Sequence, residues 1–559
     1  MTAPRETSPS AFERWRSATL APFSHRAFAL FWTASLVSSF GSMIQTVGAS
    51  WLMTTIAPSP DMIALVQTAG SLPFFLLSLI AGGFADTRDR RSVMIFSQLL
   101  MLVASTVLAV ITLMGSISPA LLLGLTFLIG CGTAIFAPAW QASISELVPR
   151  NQIASAVMAN SVGFNLARSV GPAIGGVIVA VAGAAVAFVV NAVSYIGMLA
   201  TVIWWRPQRQ RSSLPPEPLG AAISTGIRYV RLSPHLLAIL ARCVLFTIPM
   251  AATPALMPVV ARDLLGGDAR TYGLLLGGFG LGAMLGALSS AALRSRFSAD
   301  ALLRILSALA FVAMLAIGQS SFAALTLLAL VLAGATWTLG LANFNIAVQL
   351  SSPRWVMGRM LATYQSVAFA GMALGSWGWG QFAERFGLRE SLTVAAVTAL
   401  VSLVMARWLP VSVASQGSLD PHSGPGVASP KVQIHPASGP IVVTVTYRVP
   451  QQNAAEFLEL VNELGRIRQR DGARRWSVCQ DIDDPEFWVE RFASPTWIDY
   501  QRRHMRMTLA DVGVQERLRQ LIIGERGTVR RTVERPSGSE PLGNELHRPE
   551  ALDDTSGHA

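Results

Sequence analysis

Between Gly82 and Arg91 the chain reads Gly-Gly-Phe-Ala-Asp-Thr-Arg-Asp-Arg-Arg, placing the carboxylate of Asp86 just ahead of the guanidiniums of Arg88, Arg90 and Arg91. An acid beside a basic cluster at the end of an apolar run can pair with a facing helix N-terminus or with an arginine, and such a pair can be broken and remade. Its chemistry is that of a latch. The plainer alternative is that the arginines only set orientation and touch lipid phosphates.

Arg168 is the second anomaly, because it lies near the middle of an apolar stretch, where a charge costs at least about 2.5 to 3.5 kcal/mol on insertion scales. Two readings stay open: it faces a water-filled cavity and attracts an anionic or carbonyl-rich ligand, or Asn165, Asn191 and backbone carbonyls hold it. Asp61, Asp86, Glu146, Asp263 and Glu384 all fall near the ends of apolar runs, so no central carboxylate marks a proton relay. Gly171, Pro172, Gly175 and Gly176 permit close helix approach and a local bend, with or without a role in motion. The polar residues Gln45, Gln141, Asn165, Asn343, Asn345 and Gln365 fall within apolar runs and are candidates for lining an internal cavity. Cys131, Cys243 and Cys479 lack metal-ligand spacing, and no phosphate-binding Gly-rich loop ending in Lys occurs. No metal, cofactor, ATP hydrolysis or enzymatic activity is expected.

The elements that must position these groups are membrane helices. Only 13% of the residues are charged and 52% are hydrophobic, with a mean hydropathy of +0.47, whereas roughly a quarter of a soluble domain is charged. Apolar runs of about 20 residues, enough to cross ~30 Å of hydrocarbon, predict twelve helices. They fall at about 27–55, 61–85, 92–114, 119–147, 153–181 and 184–205, then at 237–261, 271–293, 300–318, 321–349, 357–383 and 390–409. Arginine clusters in alternate loops, notably Arg88, Arg90 and Arg91, Arg150, Arg206 to Arg231, Arg294 and Arg296, and Arg354 and Arg359. By the positive-inside rule these loops and both termini face the cytoplasm. The net charge of +11, with Lys431 the only lysine, is therefore a topology signal and not a nucleic-acid patch. Residues 1–26 are polar and read as a cytoplasmic N-terminal segment without a cleavable leader.

The sequence matches itself weakly at an offset of 204 residues: Gly82 falls on Gly286, Gly130 on Gly334, Pro149-Arg150 on Pro353-Arg354, and Gly171 and Gly176 on Gly375 and Gly380. Two six-helix bundles, 27–205 and 237–410, are thus expected around a central cytoplasmic loop, 206–236. An even number of helices gives both halves one orientation, so they can rock about a shared cavity. The stretch from Gly82 to Arg91 resembles the signature loop of the major facilitator superfamily, with Thr87 and Asp89 where a basic residue and a glycine are usual. Gly171-Pro172 and Gly175-Gly176 are similar to part of that superfamily's antiporter motif. Ala139 to Asn191, with Glu146 to Arg150 and Asn165 to Gly176, resembles the branch containing the enterobactin exporter. These resemblances imply a bacterial inner-membrane exporter of a small organic molecule such as a siderophore or drug. They also imply alternating access, protons as the coupling ion, and a cavity lined by the first, fourth, seventh and tenth helices.

Beyond the bundles, 411–439 is rich in Ser, Pro and Gly and reads as a flexible linker. Residues 440–535 alternate between extended and helical patterns (strands near 440–449, 473–480, 487–492 and 527–533; helices near 453–469, 497–507 and 512–523), which predicts a small ferredoxin-like α+β domain. Trp488 to Phe492, Trp497 and His504 resemble small dimeric α+β barrels of the antibiotic-biosynthesis monooxygenase type. The resemblance would leave His504, Trp476 and Tyr500 as the only reactive candidates, and a dimerising, ligand-sensing or regulatory domain is the stronger expectation. Residues 536–559 are polar and are expected to be disordered. The rival to a carrier is a transporter-shaped sensor whose soluble domain signals.

Overall fold

Backbone N–H and C=O groups that leave water must find partners within their own segment, so the apolar runs fold as helices. The computed structural model of the chain describes residues 21–57, 59–87, 89–149, 152–206, 219–353, 355–411, 434–524 and 528–535, with Leu419, Pro430 and Val432. Residues 1–20 and 207–218, nearly all of the expected linker up to 433, and the expected tail 536–559 lie outside the described residues. Two compact units form, one of residues 1–223, 235–349 and 358–413, the other of 224–234, 350–357 and 414–559.

The first half of the first unit contains α1 (Arg26–Ile56), α2 (Pro60–Thr87), α3 (Arg90–Leu113), α4 (Pro119–Leu147), α5 (Ile153–Ala182) and α6 (Ala184–Trp204). A shorter helix, α7 (Leu219–Arg231), leads into the second half. There α8 (Pro234–Met250), α9 (Ala252–Val259) and a π turn at Val260–Leu264 are followed by α10 (Ala269–Arg296), α11 (Ala299–Gln319), α12 (Ala323–Leu350), α13 (Met357–Phe386) and α14 (Leu388–Met405). Among the described residues, 11 helices are long and apolar enough to cross a membrane, with 234–264 counted as one. Helix α13 is 30 residues long, but its Gly, Ser, Gln and Trp content keeps it outside that set. The run expected as one helix over 237–261 is broken at Ala251 and ends in the π turn, because Pro249, Pro254 and Pro258 each withdraw a backbone donor. Leu288, Val181 and Leu328, 75%, 70% and 68% exposed, are of the kind that lipid covers.

Each half is fastened at its helix ends. Asp89 caps α3 through Ser92, Ser118 caps α4 and Ser298 caps α11. Arg91 at the start of α3 donates to the carbonyls of Val202 (3.2 Å) and Ile203 (2.6 Å), satisfying acceptors that the end of α6 leaves open. In the second half the fully buried guanidinium of Arg242 pairs with Asp300 at 2.9 Å and donates to the Leu409 carbonyl at 3.2 Å. That ties the middle of α8 and the start of α11 to the chain just beyond α14. Removing one partner of such a buried pair typically costs about 3 to 5 kcal/mol.

Helices α10 and α12 approach so closely that only glycine fits. A Cβ on Gly334 would lie 1.9 Å from the Phe279 carbonyl oxygen, and one on Gly282 would lie 1.8 Å from that of Val331.

In the second unit, β1 (Ile441–Arg448) pairs antiparallel with both β3 (Phe487–Ser494) and β4 (Thr528–Val533), and β2 (Arg474–Gln480) pairs with β3, giving the order β2-β3-β1-β4. Alternate β1 residues Ile441, Val443, Val445 and Tyr447 join a core with Phe457, Val461 and Leu464 of α15 (Ala454–Arg470), Tyr500 of α16 (Trp497–Met505) and Val514 of α17 (Leu509–Gln520). Helix α17 starts three residues earlier than the expected 512–523, because Thr508 and Asp511 form a capping box.

The same unit includes the segments 224–234 and 350–357. Tyr229, 2% exposed, lies under the Arg470 guanidinium at 5.2 Å and edge-on to Trp355 at 5.5 Å. Arg470 is paired with Asp471 (3.0 Å) and Asp511 (2.9 Å), while Arg506 covers the Trp355 ring at 4.3 Å and donates to the Asp471 carbonyl at 3.1 Å. Along the chain, Pro234 opens α8 and Met357 opens α13.

Replacing Gly334 by Ala drives a methyl group into a backbone carbonyl with no flexible side chain to yield. Overpacking of this kind costs about 1 to 3 kcal/mol. Gly334→Ala is therefore expected to lower the thermal unfolding midpoint of detergent-purified protein by several degrees. Gly358→Ala, where a Cβ meets nothing within 4 Å, should leave it unchanged.

Candidate functional site

Helix α5 carries two faces of small residues, each set by the i, i+4 spacing of the helix. Gly171 and Gly175 face α1: a Cβ on the first would meet the Met43 Cβ at 2.8 Å, and one on the second the Ile44 Cα at 3.0 Å. Pro172 and Gly176, one residue further round, face α10 of the other half. There a Cβ on Gly176 would lie 2.7 Å from both the Ala269 carbonyl oxygen and the Gly273 Cα, and one on Gly280 would lie 2.5 Å from the Ser169 Cα. The Ser169 hydroxyl donates to the Gly280 carbonyl at 2.8 Å. The halves thus touch backbone to backbone along this seam.

A second seam runs along α2 and α13. Gln381 donates to Asp61 at 3.1 Å, Thr68 to the Ala373 carbonyl at 3.3 Å, the Phe74 and Phe369 rings stack at 4.3 Å, and the hydroxyls of Ser78 and Ser366 meet. Near the end of α1, Trp51 stacks on Tyr272 at 6.2 Å and Arg262 donates to the Thr54 carbonyl at 3.3 Å.

Arg168 directly precedes the seam residue Ser169. It is half-buried, with its guanidinium 5.8 Å over the Phe279 ring of α10. Among the described residues no hydrogen bond or ion pair reaches it. The side chains considered as its holders are engaged elsewhere: Asn165 donates to the Ser161 carbonyl at 2.9 Å, and Asn191 donates to Gln45 and to Tyr195. A cation–π contact supplies about 0.5 to 2 kcal/mol, below the charge's insertion cost of about 2.5 to 3.5 kcal/mol. The arrangement leaves capacity to bind an anion or a carbonyl group.

The loop motif is placed in part. Gly82 and Asp86 lie in the last turns of α2, and the Asp86 side chain and all of Arg88 lie outside the described residues. Arg90 donates to Glu146 at the end of α4 at 2.6 Å and to the Ala142 carbonyl at 3.2 Å, with both charged side chains 31% exposed. At that exposure the pair contributes about 0 to 1 kcal/mol.

Of the cavity candidates, Gln45 is buried and accepts from Ser105 at 2.8 Å as well as from Asn191, and Asn343 is buried and donates to the Ala299 carbonyl at 2.8 Å. Both hold helices of their own half together. Asn165, Asn345 and Gln365 are half-buried and Gln141 is exposed, with Asn345 accepting from Gln349 one turn along. Sequence reasoning missed Gly273 and Gly280 as counterparts of the α5 glycines. Their spacing of two helical turns on one face was the available signal. It also missed Glu146 as the partner of Arg90, which no local pattern marks.

In the second unit Trp476 donates to Glu490 at 2.8 Å, Tyr500 is buried beside Trp497, and His504 is exposed. The charged centre is Glu490, fully buried, which also accepts from Tyr447 at 2.8 Å and pairs with Arg468 at 2.7 Å. Its position between Trp488 and Phe492 on β3, pointing to the helix side, could have singled it out.

Long lipid-covered helices in two halves, joined along seams of small residues, define a polytopic membrane transporter. The model of the transmembrane secretion effectors (MFS_3) matches residues 17–537, and the chain belongs to this family of the major facilitator superfamily. It is 27% identical to the multidrug efflux pump Tap of Mycolicibacterium fortuitum over 67% of this chain and 94% of that one. It is 27% identical to the MFS-type transporter YfiS of Bacillus subtilis (strain 168), over 64% and 87%. With the staphyloferrin A transporter of Staphylococcus aureus it shares 28% identity over 30% of this chain and 42% of that one. Its fold is similar to that of a bacterial homologue of the human lysosomal transporter Spinster, crystallised inward-facing and unoccupied (15% identical, TM-score 0.58, 71% of this chain and 99% of that one). It is also similar to the nucleoside transporter NupG (12%, 0.53, 68% and 98%). The family and these relatives are transporters and not enzymes, so the chain is a multi-pass membrane transport protein of the efflux type.

The seam has a direct chemical test. A Cβ built on Gly277 lies 3.4 Å from that of Ala173, close to the ~3.5 to 4.5 Å span of a disulfide. In protein whose three native cysteines are replaced by alanine, Ala173→Cys with Gly277→Cys is expected to cross-link under mild oxidation. Mass spectrometry would show the mass of two hydrogen atoms lost, their two electrons and two protons passing to the oxidant, and persistently free thiols would contradict the α5–α10 contact.

Proposed function

We propose that the chain exports a small organic molecule, such as a siderophore or a drug, by alternating access across the bacterial inner membrane, with protons as the counter-ion. Supporting this reading are the printed roles of the relatives: a multidrug efflux pump, a staphyloferrin A transporter and macrolide efflux proteins. The observation that carries it is the α5–α10 seam. Gly176 meets Gly273 and Ser169 meets Gly280 without interlocking side chains, and Arg168, which no hydrogen bond or ion pair reaches among the described residues, stands at its edge over Phe279. Contacts of that kind can part without unpacking either half. In this reading α13 is the twelfth span, completing two six-helix bundles, and both termini are cytoplasmic. Asp86, Arg88, Arg90 and Arg91 latch the cytoplasmic end, and Arg168 attracts anionic or carbonyl-rich substrates. Asn165, Asn345, Gln365 and Gln141 offer polar contacts to the pathway. The second unit is read as a ferredoxin-like α+β domain of the antibiotic-biosynthesis monooxygenase type, able to dimerise, and the membrane part as a member of the enterobactin-exporter branch.

A second reading, a membrane sensor whose soluble domain signals or regulates, is favoured by the engagement of Tyr229 and Trp355 with Arg470 and Arg506. The segments gripped there continue into α8 and α13, so a change in the soluble domain would act on the chain at two helix starts.

Substrate uptake by inside-out vesicles under an imposed pH gradient tests both readings. Gradient-driven uptake of a macrolide or siderophore is expected in the full chain and in a chain ending at Pro410. Asp86→Asn should slow turnover about tenfold or more, a barrier change of ~1.4 kcal/mol, while leaving binding nearly intact. Arg168→Ala should weaken anionic substrates selectively. Absence of flux from either chain would overturn the carrier and leave the sensor.

A further inference from the structure

On the helix-covered side of the second unit's sheet, two guanidiniums share one aromatic ring. Arg468 of α15 lies 4.4 Å over Phe492 and Arg503 of α16 lies 4.3 Å over it. Their charges are handled differently. Arg468 is neutralised by Glu490, whose two oxygens are otherwise taken by the Tyr447 hydroxyl and the Trp476 indole. Arg503 is 8% exposed and, among the described residues, receives no carboxylate and makes no hydrogen bond. Its Nε is sealed without an acceptor. The other nearby acid, Asp471, is held by Arg470.

A buried charge in that state carries a desolvation cost of several kcal/mol, which the ring contacts and the more distant carboxylates of Asp471 and Glu490 offset only in part among the described residues. The surroundings add positive potential and flat apolar walls. Tyr500 lies 5.3 Å from the Arg503 guanidinium, and Arg531 of β4 lies 6.0 Å over Trp497. Burial lowers Arg503 to about 10, which keeps it charged at neutral pH, and partial desolvation of an imidazole that keeps one side in solvent, together with the charges of Arg503, Arg468 and Arg531, pushes His504 below its usual value. The neighbouring imidazole is therefore neutral at pH 7.

We propose that Arg503 is the anchor of a ligand site in the soluble domain, which takes a small organic carboxylate with a flat apolar body. The guanidinium fork accommodates both oxygens of a carboxylate, and Tyr500, Phe492 and Trp497 suit the body. The ligand supplies the counter-charge that Glu490 gives to Arg468. This site is separate from the Arg168 region and needs no transport to be detected.

Isothermal titration of full-length protein in detergent with benzoate is the test, with benzamide as the neutral isostere and inorganic phosphate as an anion without an apolar body. Saturable binding of benzoate, at least tenfold tighter than either comparator, is expected at pH 7. Arg503→Gln should abolish it and Arg503→Lys should weaken it by about tenfold, since a point charge replaces the planar fork. Arg168→Gln should leave it intact. Arg503→Met guards against misfolding: it removes a charge without a partner, so its ligand-free unfolding midpoint should equal or exceed that of the parent, while benzoate no longer raises it. Benzoate binding that survives Arg503→Gln, equal binding of benzamide or phosphate, no saturable heat in the parent, or a lowered midpoint in Arg503→Met would each overturn the assignment.

Discussion

Close approach of bare backbone between α5 and α10 is the constraint from which the rest of this molecule follows. Helices in lipid gain no hydrophobic drive toward one another, so they associate through van der Waals contact and short hydrogen bonds, and both require small residues. Gly176 against Gly273, and Ser169 against Gly280, supply that contact across the two halves. The same chemistry recurs within the second half, where Gly282 and Gly334 leave no room for a methyl group between α10 and α12. Helix α10 is therefore held on two sides by glycine, and it links the inter-half seam to its own bundle.

Charge is placed to complement this. Arginines fasten helices inside each half: Arg91 onto the last carbonyls of α6, and Arg242 onto Asp300 and Leu409. Among the described residues, the contacts that cross between halves are mostly neutral hydrogen bonds and aromatic stacks, and where a charge takes part (Asp61 accepting from Gln381, Arg262 on the Thr54 carbonyl, Arg168 over the Phe279 ring) it meets a neutral group. Strong polar ties within the halves and weak ones between them are what two bodies moving against each other would require. The charged site of the soluble domain follows a different logic, with one guanidinium answered by Glu490 and one left open.

Much of the membrane architecture is legible in the sequence, because runs of about 20 apolar residues have few alternatives to a spanning helix. The repeat and the Gly171 to Gly176 pattern likewise mark α5 as a packing helix. Less legible are the partners. Arg90 and Glu146 are 56 positions apart, and only the fold brings them together. Gln45 and Asn343 read as cavity residues because polarity in an apolar run is ambiguous. Each is instead consumed by bonds to its neighbouring helices. Arg503 stays hidden for the opposite reason: on a short polar helix an arginine looks ordinary until burial and the absence of an acceptor are seen. The break at Ala251 is legible in retrospect from three prolines in ten residues.

Whether the α5–α10 seam parts can be read as a distance. Spin labels at Ala182 and Arg270, exposed positions at the end of α5 and the beginning of α10, would report it by pulsed electron–electron resonance in lipid nanodiscs. A short separation in the resting protein and a second, distinctly longer population on adding a transported drug or acidifying the medium is the expected result. One unchanging short distance under every condition that supports transport would contradict a seam that opens.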